Sequence, residues 1–430
     1  VTGVHDLARR MAASAVAAVD PERLVRDELQ RRLAQGMRCE AILALGKAAA
    51  GLSRGTRSMF AHSPRRLLIR PHSSPALLDP GWEQATGGHP FPDRQSAAAG
   101  ARLQGWLARV DPAHTLLALI SGGASACVEL PAAGLSLDDL AATQRALLGS
   151  GLPIGRINAV RKHLSALKGG GALRMTPGRV VALLLSDVPG DDPSTIASGL
   201  FAADPATYAD ALAAVLGLGV PEAVRRHLEA GMRGEHPETV KPGDPLLERV
   251  ETAVIGSVRT AVAAVAAEAR REGLRTEEGS LSGEAAETGR ELVARGRALE
   301  GERVALILGG ETTVTLSRKA EKAGDIGRGG RNGELALAAA GALREGGTGR
   351  EVVLALATDG EDGTTGTAGA LVDGGSWEAV RRGRIDPEAA LERHDSLPAL
   401  NAAVAGGLPA ILRTGATGTN VGDLAIYLRG

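Results

Sequence analysis

Lys47 follows a glycine at the end of an apolar run, in Gly46-Lys47-Ala48-Ala49-Ala50 after Cys39–Leu45. Far along the chain, Arg331 and Asn332 occupy the glycine-rich turn Gly327–Gly333, directly before a helix expected from near Glu334. A cation at a tight turn before a helix suits a phosphate or carboxylate. Exposed backbone N–H groups and the positive end of the helix dipole point at the ligand, and a guanidinium can grip two oxygens at once. Ser121-Gly122-Gly123-Ala124-Ser125-Ala126 offers a third such turn, with backbone donors and two hydroxyls. Acids gather at two others. Ser186–Asp192 carries Asp187, Asp191 and Asp192, which suits a divalent cation or a general base, and Thr358–Gly363 carries Asp359 and Asp362. Each turn also has a plainer reading as a strand-to-helix connection that needs glycine or an Asp-rich turn.

The elements that would position these groups follow from hydrophobic patterning. Apolar runs at Cys39–Leu45, Thr115–Ile120, Val180–Leu185 and Glu351–Ala357 have strand length and are each followed by one of the turns above, and Val304–Leu308 leads through a polar hairpin into Gly327–Gly333. Strand, glycine turn and helix form the half-unit that puts ligands at the carboxyl edge of a parallel sheet. The Lys47 turn is not a Walker A loop, because Ala41 stands where its first glycine belongs and Ala48 where Ser or Thr is required. Ile157–Lys168 reads as a helix carrying Arg161, Lys162, His163 and Lys168. Its basic end is ordinarily a dipole match and becomes a substrate clamp only if it faces the same site. His89, alone in the Pro-rich loop Gly87–Pro92, reads as structural or exposed more readily than catalytic.

Alternating strands and helices predict two α/β domains with largely parallel sheets. The segment Gly234–Pro245, with three prolines and no apolar period, marks the boundary, giving domains 1–238 and 239–430. A 430-residue chain with 44% hydrophobic and 23% charged residues fits such a pair of globular domains. A net charge of −1 and 2% aromatics argue against nucleic acid and acidic membranes as partners. Cys39 and Cys127 read as buried free thiols. No apolar run approaches the ~20 residues needed to cross a bilayer, so a soluble, cytoplasmic protein is expected.

With these residues assembled, the chain resembles the class II glycerate 2-kinases, whose C-terminal half is the MOFRL domain. The resemblance runs nearly end to end. It rests on Leu45–Ala49, Gly87–Asp93, Ser121–Ala126, Ile157–Gly170 and Ser186–Gly199 in the first half. In the second it rests on Gly309–Thr315, Gly329–Ala338, Thr358–Asp373 and Thr414–Leu424. Two departures stand out: Leu200 where the family usually has proline, and an extended hairpin at Arg318–Asp325.

The resemblance implies a Rossmann-like N-terminal domain, a smaller α/β C-terminal domain and an active site in the cleft between them. It implies ATP- and Mg2+-dependent phosphorylation of D-glycerate at the C2 hydroxyl, and it gives Lys47 and Arg331 catalytic positions. On this reading Asp187 is catalytic or a magnesium ligand, with Asp191, Asp359 and Asp362 as further candidate ligands. Ser121, Gly122, Gly123, Ser125, Arg161, Lys168, Asn332 and Glu311 form the candidate substrate and phosphate set. A homodimer is compatible with it. The rival chemistry is NAD(P)H-dependent hydroxypyruvate reduction, which wants a G-x-G-x-x-G turn after a strand; neither Gly46 nor Gly122-Gly123 has that spacing. A nucleotide- or carboxylate-binding protein without catalysis would explain the glycine turns but not the acidic loops.

Overall fold

The computed structural model describes residues 3–60, 64–316, 327–345 and 350–430. The expected hairpin Arg318–Asp325 lies outside the described residues. The chain forms two compact units, one of Pro21–Gly256 and one of Val1–Asp20 with Ser257–Gly430. The division therefore falls after Gly256 and after Asp20, not between 238 and 239. The reasons are local to each unit. The first helix, α1 (Val4–Ala18), packs within the unit that carries Ser257–Gly430: His5 pairs with Asp373 at 2.9 Å, and Thr419 Oγ1 donates to the Val19 carbonyl at 2.8 Å. The Pro-rich stretch is no free linker either. Val240 is buried, its N–H donates to Gly169 O at 2.9 Å, and its carbonyl accepts from Asp204 N at 2.7 Å.

In the Pro21–Gly256 unit the strands are β1 (Ala41–Leu45), β2 (Arg65–Pro71), β3 (Glu83–Gly87), β4 (Thr115–Ser121), β5 (Arg179–Leu185) and β6 (Val250–Gly256). They form one sheet in the order β3-β2-β1-β4-β5-β6, every neighbour parallel. This is the doubly wound Rossmann order, with its topological switch point between β1 and β4. β1 is apolar on both faces and fully buried, as a central parallel strand must be. Helix α2 (Ala49–Arg54) leaves the sheet after β1, the short α3 (Ala124–Cys127) after β4, and α4 (Ile154–His163) lies further along. One core of Leu43, Leu45, Ile69, Leu103, Trp106 and their neighbours holds the carboxyl edge in place. Leu200, at the position of the family's proline, is buried in that core.

In the other unit the strands are β7 (Arg275–Leu281), β8 (Val304–Gly310), β9 (Glu351–Ala357), β10 (Gly369–Asp373), β11 (Ile411–Leu412) and β12 (Asp423–Arg429), in the order β11-β10-β9-β12-β8-β7. The expectation of a largely parallel sheet holds in the first unit and needs correction here. β12 is inserted antiparallel between β8 and β9, β10 is antiparallel to both its neighbours, and β7–β8 is the parallel pair. Because β12 runs against its neighbours, its first residue, Asp423, stands at the edge where β8 and β9 end. Helices α5 (Val258–Arg271), α6 (Ala285–Ala298) and α7 (Arg331–Arg344) are among those that pack on this sheet, and α7 is almost wholly buried.

Cys39 and Cys127 are free and buried, and burial pushes their thiols up to about 11 and about 12. Among the described residues no helix is long and apolar enough to cross a membrane.

Candidate active site

The switch point of the first sheet brings the Lys47 turn and the Ser121–Ser125 turn together. Lys47 N donates to Gly122 O at 2.8 Å. Gly46 has φ +101, and a Cβ there would lie 2.5 Å from Ser121 O, so only glycine permits the approach. Ser121 is the stitch between the turns: its buried hydroxyl accepts from Ala48 N at 3.0 Å and donates to Leu45 O at 3.1 Å. That commitment corrects Ser121 from a ligand-binding hydroxyl to a structural one.

Three side chains converge on Gly122-Gly123. A Cβ on Gly122 would fall 1.7 Å from Asp187 Oδ2. A Cβ on Gly123 would meet Lys47 Cγ at 3.0 Å and the His89 ring at 3.2 Å. Lys47, Asp187 and His89 therefore pack directly against one stretch of glycine backbone. His89 belongs to this site, contrary to its plain reading as a loop histidine. Partial burial and the Lys47 charge lower its pKa, favouring the neutral imidazole. Its loop is fixed from beneath by Asp93, which accepts from Gly88 N at 3.1 Å and Ser96 N at 2.8 Å. In the sequence its signal was the run Gly87–Asp93, not the histidine itself.

Ser125 and Arg161 also meet, through Arg161 Nη2 donating to Ser125 Oγ at 3.2 Å. Arg161 is enclosed enough that burial lowers its pKa, partly countered by Glu129. Lys168, expected beside it as a clamp, is instead buried in an ion pair with Glu129, whose other oxygen accepts from Ser165 Oγ at 2.6 Å. Burial lowers the Lys168 pKa, and the Glu129 charge resists that shift. Lys168 is thus held by Glu129 and lines a small cavity together with Arg161. Glu129 carried no signal in the sequence.

Asp191 adopts a left-handed backbone, φ +56, while Asp192 is used up by Ser194 N at 2.9 Å and Ser194 Oγ at 2.6 Å. Among the described residues no three His, Cys, Asp or Glu side chains gather as a metal-binding group. Asp187 and Asp191 follow β5, whereas Asp359 and Asp362 follow β9 in the other unit.

In the other unit Arg331 opens α7 with Gly330 as its N-cap. The helix start is already capped. Asp362, buried, accepts from Asn332 N at 2.9 Å, Gly333 N at 2.7 Å and Asn332 Nδ2 at 3.3 Å. The expected backbone donors for an anion are thus filled internally at those two positions, and Asp362 is corrected from metal ligand to helix cap. Asn332 is buried with it, and its Oδ1 has no partner among the described residues. Asp359, half-buried, accepts from Glu361 N at 3.0 Å in a local turn.

Arg331 itself points at two carboxylates. Its Nε donates to Asp423 and its Nη1 pairs with Glu311. Burial alone would lower the guanidinium's pKa; the Asp423 hydrogen bond and the Asp423 and Glu311 charges outweigh it and raise it. Asp423 is 1% exposed, and burial pushes its carboxyl up to about 6 despite Arg331. Glu311 is half-exposed at the exit of β8. Asp423 is the main residue that sequence reasoning missed; its only signal was its place in Thr414–Leu424.

Residues 7–229 match a family profile described as a domain of unknown function (DUF4147), and residues 304–423 match the MOFRL family. The glycerate 2-kinase of Pyrococcus horikoshii is 36% identical over 99% of this chain and 97% of its own length. The chain belongs to the glycerate 2-kinase family with a MOFRL domain. The crystal structure of glycerate kinase from Thermotoga maritima superposes with a TM-score of 0.84 at 35% identity, covering 99% of both chains. One relative, from Agrobacterium vitis, is 38% identical over 98% of this chain and 94% of its own length and bears a provisional hydroxypyruvate reductase name.

Proposed function

We propose that this enzyme transfers the terminal phosphoryl group of ATP to the C2 hydroxyl of D-glycerate, giving 2-phosphoglycerate and ADP. The observation that carries the reading is the convergence of Lys47, Asp187 and His89 on Gly122-Gly123 at the β1/β4 switch point, where doubly wound sheets bind their ligands. Phosphoryl transfer asks for positioning and positive charge more than covalent chemistry. Lys47 supplies a compact ammonium for phosphate oxygens. Arg161, with Ser125, is suited to the glycerate carboxylate. Asp187 accepts the proton of the attacking hydroxyl or holds magnesium, and Arg331, in the other unit, is suited to an anionic group of a substrate. Magnesium is commonly held by one or two carboxylates plus substrate phosphates, and Asp187 beside the glycine turn fits that donor set better than the capped Asp362. When bound, the ion would neutralise phosphate charge.

Hydroxypyruvate reduction is disfavoured by the same turn. Ala48 stands between Gly46 and Gly51 where the dinucleotide fingerprint needs its second glycine, and Ala48 N is already bonded to Ser121. The test is incubation of the protein with ATP, magnesium and D-glycerate, with the product identified by phosphorus NMR. 2-Phosphoglycerate is expected. 3-Phosphoglycerate would change the acceptor hydroxyl, and NADH oxidation on hydroxypyruvate with no phosphoryl transfer would overturn the reading.

A further inference from the structure

The amino edge of the parallel sheet, opposite the edge that carries Gly122-Gly123, holds a pocket of about 370 Å3. Thr115, Arg179 and Val250, the first residues of β4, β5 and β6, all line it. Ser121 stands at the far end of β4, so roughly 20 Å of strand separates this pocket from the Lys47 turn. Arg32, Arg38, Arg179 and Arg249 share the lining with a single carboxylate, Glu251.

The four guanidiniums are of two kinds. Arg32 and Arg249 are anchored. Arg32 is buried on the helix Pro21–Ala34, where its Nε donates to Glu28 at 2.6 Å and its Nη1 to exposed Glu251 at 2.6 Å. Arg249 donates to the Thr176 and Pro177 carbonyls at 2.9 and 2.7 Å, in both cases from Nη1. Arg38 and Arg179 are exposed, and neither guanidinium has an acidic partner among the described residues. Positive charge therefore exceeds negative here even when Glu28 is counted with Glu251. A concave site with one sign of charge in excess attracts the opposite ion, and a guanidinium fork matches phosphate and carboxylate oxygens.

We infer that this pocket binds a small metabolite with two anionic groups, at least one of them a phosphate, at a site separate from the catalytic edge. Its volume lies at the small end of ligand pockets, roughly 300–1,000 Å3, which suits an occupant larger than one phosphate ion. The anchored arginines offer donors already fixed in place, and the two unpaired ones are free to close on the second group. None of these residues belongs to the Lys47, Asp187 or Arg331 sites, so the inference goes beyond the kinase reading and does not depend on it.

The test is calorimetric titration of the full chain with pyrophosphate at physiological ionic strength, where weak surface attraction is screened. Lys47→Ala serves as the parent, because it disables the other phosphate site. That parent is expected to bind pyrophosphate, and at least tenfold more tightly than inorganic phosphate. Adding Arg38→Gln and Arg179→Gln should weaken pyrophosphate by about tenfold or more, since each loses a charge-assisted hydrogen bond. Both side chains are exposed and unpaired, so the melting temperature should not change. Hydrogen exchange in the parent should slow at residues 35–38 and 179–181 when pyrophosphate is added. Equal pyrophosphate affinity with and without the two arginines overturns the inference. So does a parent that binds no pyrophosphate, or one that binds inorganic phosphate as tightly.

Discussion

The guanidinium of Arg331 is fixed on its Nε side by Asp423, a carboxylate 92 residues away and 1% exposed. On its outer side it meets half-exposed Glu311. The first contact orients the fork, and the second is accessible to an incoming anion. Arg331→Ala should lose turnover by on the order of 10³–10⁵, as removal of a charge-stabilising arginine does in other phosphoryl-transfer enzymes. Asp423→Asn keeps an oxygen for Nε but removes its charge, and should cost about tenfold in kcat. Steady-state kinetics on variants with unchanged circular dichroism checks both; Arg331→Ala with near-normal kcat removes Arg331 from the mechanism.

The same pair sets a pH dependence. Asp423 titrates at about 6 when folded, above its ordinary value of 3.8, so the native state takes up its proton first as pH falls. Relative to Asp423→Asn, wild-type stability should therefore decline as pH rises from about 4 to about 6 and stay level above. A tenfold difference in proton affinity between the folded and unfolded chain is worth about 1.36 kcal/mol, so the whole decline is at most about 3 kcal/mol. Urea unfolding of both proteins across that window measures it, and parallel profiles would show that Asp423 does not titrate there.

Asp362 separates capping from metal binding. Asp362→Ala leaves Asn332 N and Gly333 N without their acceptor and should lower stability by about 1–2 kcal/mol, the cost of a lost helix cap. The magnesium concentration giving half-maximal activity should stay the same. A large shift in that concentration with full stability would restore Asp362 as a ligand.

The Glu129–Lys168 pair is buried on both sides. Lys168→Met or Glu129→Gln alone should each cost roughly 3–5 kcal/mol by stranding the partner, and the double variant should cost less than their sum. A double-mutant cycle by denaturant unfolding gives the coupling. Additive losses would mean the two charges act independently.

Gly122→Ala drives a methyl group into the space of the Asp187 carboxylate, 1.7 Å from Oδ2. Displacing a reacting group by about 1 Å can cost about 10²-fold. We expect that loss in kcat, with a smaller change in melting temperature. Normal turnover would place Asp187 outside the chemistry.

Much of this was legible in the chain itself. Apolar runs such as Val180–Leu185 and Val304–Leu308 predict their strands, because a strand buried on both faces must be apolar throughout. Gly46 and Gly123 mark turns that need a positive φ, so the neighbourhoods of Lys47 and Ser125 could be read directly. The sequence determined these local facts because they depend on side chains a few residues apart.

Other assignments depended on which strands become neighbours, and only the tertiary structure decided them. The β1–β4 adjacency commits Ser121 to Leu45 and Ala48 and brings His89 to Lys47. The antiparallel insertion of β12 carries Asp423 to Arg331. The Pro-rich stretch 234–245 looked like a linker because proline and glycine disrupt periodicity wherever they occur. Burial of Val240 and the pairing of β5 with β6 hold it inside the first unit. A hydroxyl, carboxylate or lysine has the same one-letter code whether it is open or occupied. The long-range partner determines which, and that partner is fixed by sheet order and burial.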